Sequence, residues 1–154
     1  RIILLLYLKI AGLLDLPALY MSNYIIENKA AYYNNLRKVT EEGNWEDWIL
    51  YMLDMVEETA LKGRTQITAI ENLMNIMAAE IQEKLPKVYS KDLIEALFRL
   101  PYTKRQQLEA EGIASLKTIG NYLIALEGNG FLKSETVGKE KIYINYRLVK
   151  ILKQ

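Results

Sequence analysis

The sequence predicts a mainly α protein: a helical bundle followed by a winged helix-turn-helix with a small β-hairpin. Three observations carry that reading. Apolar residues recur at helical spacing over most of residues 2–86. From residue 87 the order becomes helix, short helix, helix, then two extended runs around a Gly-containing turn. The charge changes sign at the same place. Residues 1–86 carry 8 Lys+Arg against 12 Asp+Glu, a net of −4, and residues 87–154 carry 12 against 7, a net of +5. Two domains are therefore expected, 1–86 and 87–154, with different partners.

Each element follows from local chemistry. Residues 2–14 form a nearly all-apolar helix, which calls for burial on every side. Gly12 and Leu16-Pro17 end it. The run is interrupted by Lys9, is followed by no small-x-small cleavage site, and falls short of the about 20 apolar residues a membrane span needs. No membrane partner and a cytoplasmic location are expected. Ser22 is placed to cap a second helix of about 15 residues, with Tyr24, Ile25, Asn28, Tyr32 and Leu36 at spacings of one, three and four. Asn44, with Asp47 three residues on, caps a third. That helix runs over 45–85, with Gly63 as a candidate bend, and Pro86 ends it. Its stripe of Met and aromatic residues reads as core packing.

In the second half, Ser90 caps a helix that stops at Pro101, and Thr103 caps a short helix over 104–110 that ends at Gly112. Ser115 caps a third, with Ile119, Tyr122, Leu123 and Leu126 facing inward. Extended runs over 131–136 and 141–146 flank a Val137-Gly138-Lys139-Glu140 turn, and 146–152 forms a last short helix. Tyr89, Tyr102 and Tyr143 read as half-buried packing residues.

Composition excludes several chemistries. With no Cys there are no disulfides, catalytic thiolates or cysteine zinc sites. With no His the commonest general base and transition-metal ligand is missing. No carboxylate cluster has metal-loop spacing. The composition argues against catalysis.

Two stretches carry a family resemblance. The first is Leu19-Tyr20-Met21-Ser22 with Tyr24-Ile25, then Tyr32-Tyr33 and Leu36, then Gly43-Asn44-Trp45-Glu46-Asp47-Trp48. The second is Leu97-Phe98 with Pro101-Tyr102-Thr103, then Lys117-Thr118-Ile119, Tyr122-Leu123, Leu126-Glu127 and Gly130-Phe131-Leu132. Together they resemble the C-terminal half of the Fic family and its appended winged helix. The resemblance implies a parent that transfers AMP from ATP to a protein hydroxyl, with Mg²⁺, through a His-Pro-Phe-x-Asp/Glu-Gly-Asn-Gly-Arg motif. None of that motif is present. By this resemblance Arg1 corresponds to the arginine shortly after it, no catalytic residue carries over, and the chain itself holds no cofactor. The bundle is then a remnant of the Fic domain and the chain a fragment, separated by design or by proteolysis. Such a fragment is expected to expose the apolar face of 2–14 and to self-associate.

The basic second half offers a candidate DNA reader. The second helix of such a pair enters the major groove. Ser115, Lys117, Thr118 and Asn121 stand at its start and outer face, with Lys117 suited to phosphate or guanine and Asn121 to adenine. Gly120 would admit a close backbone approach. Lys104 and Arg105 open the preceding helix, where phosphate contacts are expected, and Lys139 and Lys141 sit at the wing. Glu127, Glu135 and Glu140 dilute the patch, and exposed lysines commonly serve solubility alone. Three readings stay open at this level: a regulatory and targeting part of an AMP-transferring protein, a free-standing winged-helix regulator whose helical half dimerises, and a protein-interaction module. Double-stranded DNA, a protein target and a second copy of the chain are the corresponding candidate partners.

Overall fold

A computed structural model describes residues 2–15, 19–138 and 140–153. Among these residues there are eight helices and three strands. The chain divides into two compact units, Arg1–Ile67 and Thr68–Gln154.

The first unit holds α1 (Ile2–Ile10), α2 (Met21–Glu27), α3 (Lys29–Glu42) and the first part of α4 (Trp45–Lys84). Its core is Met21, Tyr24, Tyr51 and Met55, with Leu4, Leu5, Leu8 and Tyr32 packed against them. Trp48 stacks on Tyr51 at 6.3 Å between ring centroids, and Tyr24 meets Tyr51 at 5.6 Å. Burial raises the phenol pKa of both Tyr24 and Tyr51.

Three expectations are corrected here. The all-apolar α1 is not buried all round: Leu4, Leu5 and Leu8 pack inward, while Ile3 and Ile10 are more than 80% exposed in this chain. Ser22 does not cap the second helix, because α2 starts at Met21, two residues earlier than that cap implies, with Tyr20 at the N-cap position. The expected single helix is two, because Asn28 leaves helical geometry at φ −113° and ψ 34°. There the Asn28 side-chain amide donates to the Tyr24 carbonyl at 3.0 Å, a local bond that competes with helix continuation.

Gly43 ends α3 at φ 67°, a left-handed conformation for which glycine is best suited. Asn44 then caps α4 as its sequence suggested, accepting from the Asp47 N–H at 3.4 Å. The Lys38–Asp47 ion pair, 2.6 Å long, joins the end of α3 to the start of α4. α4 runs through Gly63 without a break.

The second unit takes the rest of α4 and continues through α5 (Lys91–Arg99), β1 (Tyr102–Thr103), α6 (Arg105–Ala110), α7 (Leu116–Gly128), β2 (Lys133–Val137), β3 (Glu140–Ile144) and α8 (Tyr146–Leu152). The Ser90 hydroxyl accepts from the Leu93 N–H at 3.2 Å and starts α5. The strands form one antiparallel sheet in the order β1-β3-β2, with Thr103 opposite Tyr143 and Ser134 opposite Tyr143 on the other side. β1 displaces an expected cap: Thr103 is buried in the sheet, and Lys104 occupies the N-cap position of α6. Met77 and Ile81 of α4 share a core with Leu93 and Leu97 of α5, Leu108 of α6, Ile119, Leu123 and Leu126 of α7, Phe131 and Tyr143. Asn145 is 1% exposed within this unit. Its backbone N–H donates to the Pro101 carbonyl at 2.9 Å, and its side-chain oxygen accepts from the Leu148 N–H at 3.2 Å. One residue thus fastens the end of β3, the entry to β1 and the start of α8.

Among the described residues no helix is long and apolar enough to cross a membrane. None of their carboxylates form a group of three or more placed to hold a metal ion.

Candidate nucleic-acid interface

α6 and α7 are consecutive helices joined by a short turn. The turn depends on Gly112, at φ 77°, whose N–H donates to the Glu109 carbonyl at 2.9 Å. Ser115 follows and caps α7: its hydroxyl oxygen accepts from the Thr118 N–H at 3.5 Å and lies 3.0 Å from the Thr118 hydroxyl. These two hydroxyls are therefore engaged with each other at the start of the helix. The first turn of α7 leaves backbone N–H groups without intrahelical partners, and the helix dipole adds positive potential there.

The cations gather around that helix start. Lys104, Arg105, Gln106, Leu116, Lys117, Glu140 and Lys141 line one open groove of about 550 Å³. Four of the residues singled out in the sequence, Lys104, Arg105, Lys117 and Lys141, are thus brought together from α6, α7 and β3. Lys117 is exposed. Arg105 lies across α7, with its guanidinium against Gly120: a Cβ at that glycine would sit 3.3 Å from the Arg105 Cζ. The space above Gly120 is thus taken by the protein's own arginine. The expectation that this glycine admits an outside backbone is replaced by close packing of α6 on α7.

Two of the four lysine and arginine groups already have carboxylate partners. Lys104 pairs with Glu140, and this hydrogen bond raises the ammonium pKa. Lys141 donates to Glu127 at 3.2 Å and sits 5.0 Å from the Tyr143 ring centroid. Its pKa is raised by the bond to Glu127. Glu127 also accepts from the Ser134 hydroxyl and from the Ser134 N–H, which together with Lys141 hold its carboxyl below the ordinary value. Glu127 thereby ties the end of α7 to both hairpin strands. Of the acids expected to dilute the patch, Glu127 and Glu140 do so by direct pairing.

Asn121 stands one turn beyond Lys117 on the exposed side of α7 and outside the groove lining. Lys139 lies outside the described residues. Sequence reasoning missed Gln106 and Leu116 in the groove, and Ile124, which is 56% exposed beyond Asn121. The spacing 117, 121, 124 was the available signal, since those positions share one helix face.

Residues 73–148 match the family model described as the C-terminal domain of SoFic-like protein adenylyltransferases. Over these residues the chain is similar to the C-terminal portion of Fic-family adenylyltransferases. In the SoFic-like domain the match starts within α4, ends within α8 and contains every residue of the groove. With no histidine in 154 residues, the His-Pro-Phe motif lies nowhere in this chain.

Proposed function

We propose that the second unit is a winged helix-turn-helix that binds the phosphate backbone of double-stranded DNA, and that this chain is a non-catalytic, targeting part of an AMP-transferring Fic protein. The observation that carries the reading is the meeting of Lys104, Arg105, Lys117 and Lys141 in one groove beside the start of α7. Cations and a helix N-terminus facing one space suit an anionic polymer. The order of helices and strands and the β1-β3-β2 sheet agree with a winged helix. In such a fold α7 would enter the major groove, and the β2–β3 hairpin would reach the adjacent backbone.

The test is a titration of the whole chain against random-sequence duplex DNA at two salt concentrations. With about three phosphates neutralised, affinity should fall roughly forty-fold between 50 and 200 mM salt. Absence of binding at low salt overturns the reading. It would favour a second one, a protein-contact module, which draws on the carboxylate partners already held by Lys104 and Lys141. The absence of transferase activity is checked by incubating the chain with labelled ATP and Mg²⁺, where no label should transfer.

A further inference from the structure

We propose that α7 reads an A·T step, with Asn121 pairing to adenine and Ile124 packing on the C5-methyl of a neighbouring thymine. The inference rests on the DNA-binding reading above and adds the base pairs recognised. It starts from what the outer face of α7 presents. Ile119, Leu123 and Leu126 are completely buried, and they take the inward side of the helix. Lys117, Asn121 and Ile124 take the opposite side and are all exposed. Among the described residues, none hydrogen-bonds the Asn121 carboxamide. Ile124 belongs to neither apolar core.

An exposed isoleucine gives α7 nothing as a helix former, because its β-branch restricts χ1 and its propensity is below that of Lys, Glu or Ala. Its place is notable because of its neighbour. Asn121 and Ile124 are three residues apart, so their side chains stand side by side on one face. Three residues rise about 4.5 Å along a helix, against roughly 3.4 Å for one base-pair step. The two side chains therefore match adjacent base pairs. In the major groove adenine offers N7 as an acceptor and N6 as a donor, the complement of a carboxamide, and only thymine offers a methyl group. Lys117, one turn earlier and beside the groove, is left for phosphate.

The experiment selects bound sequences from a duplex library with a randomised core, using the whole chain. Adjacent A·T pairs should be enriched. The selected duplex is then made with uracil in place of the thymine, which deletes only the methyl, and with 7-deazaadenine in place of the adenine, which deletes only N7. The uracil duplex should bind about fourfold more weakly, and the 7-deazaadenine duplex about fivefold more weakly or worse. Ile124→Ala should bind the thymine and uracil duplexes equally, and Asn121→Ala should not distinguish adenine from 7-deazaadenine. Salt-dependent binding with no enriched sequence, or with a G·C core, overturns the readout and leaves phosphate binding standing. No binding to any duplex at low salt overturns both. The modified duplexes test the unaltered protein, so the outcome does not depend on how either variant folds.

Discussion

Replacement of Gly120 by alanine separates stability from binding in a way the geometry dictates. Gly120 lies inside α7 with no positive φ, so the backbone accepts a side chain. A helix-interior glycine costs about 1 kcal/mol relative to alanine. Against that gain stands the new methyl, which would meet the Arg105 Cζ at 3.3 Å, Nη1 at 3.4 Å and Nε at 3.5 Å. Those atoms form the flexible end of an exposed side chain. Moving them by a few tenths of an ångström costs little, so Gly120→Ala should stabilise the second unit by about 0.5 to 1 kcal/mol. On the proposed DNA-binding reading, the same movement lifts the guanidinium off α7 and would loosen its contact with phosphate, so DNA affinity should fall about two- to fivefold. Amide hydrogen exchange at the buried Leu123 reports the stability of this unit alone, which matters because both tryptophans lie in the other. A double-mutant cycle with Arg105→Ala completes the test. In that background the alanine should give its full stabilisation and leave binding unchanged. Destabilisation by Gly120→Ala, or an equal loss of binding with and without Arg105, would refute the packing argument.

Other perturbations follow from the same structure. Asn145→Ala removes the α8 cap and leaves buried backbone groups without partners, and should cost about 2 kcal/mol or more by urea denaturation. Leu123→Ala opens a void in a core position with no exposure and should cost about 3 kcal/mol in the same assay. Glu140→Gln frees Lys104 from its carboxylate, and should strengthen DNA binding severalfold and steepen its salt dependence. The Glu127 carboxyl is held below its ordinary value of 4.5. A depressed native pKa means that its stabilisation is complete above the unfolded value and lost as pH falls through the lowered one. The Ser134 amide resonance should therefore shift with a midpoint below 4.5, and Glu127→Gln should abolish the shift.

Legibility in the sequence depended on how local each cause was. The caps at Asn44, Ser90 and Ser115 involve partners three residues away, and all three stand where the sequence put them. The inward side of α7 also followed directly from spacing. The helix break at Asn28 was hidden, because its neighbours Tyr24 and Tyr32 keep helical spacing across the gap. β1 escaped because two residues carry no periodicity; it exists only through pairing with β3, some forty residues later. Apolar composition showed that α1 could be buried but not which side would be covered. For the interface, the positive charge was legible in the composition. The pairings were not: Glu127 meets Lys141 only because the hairpin folds β3 back past the end of α7.

Those pairings bear on how the groove could hold DNA. Lys104 and Lys141 reach phosphate only by giving up a carboxylate. Both pairs are half-exposed, and exposed pairs contribute roughly 0 to 1 kcal/mol, so the exchange is close to neutral. Exchange at Lys141 has a second consequence. Glu127 keeps its bonds from Ser134, so the hairpin stays attached to α7 while the lysine turns outward. The groove can therefore trade counter-charges without losing its shape. Net attraction then falls mainly to Arg105, Lys117 and the start of α7. Arg105 has the better preset position of the two side chains, because Gly120 lets its guanidinium rest against the helix. A lysine at 105 would keep the charge but not the flat contact. Binding should therefore respond more to the geometry at residue 105 than to the total number of cations around the groove.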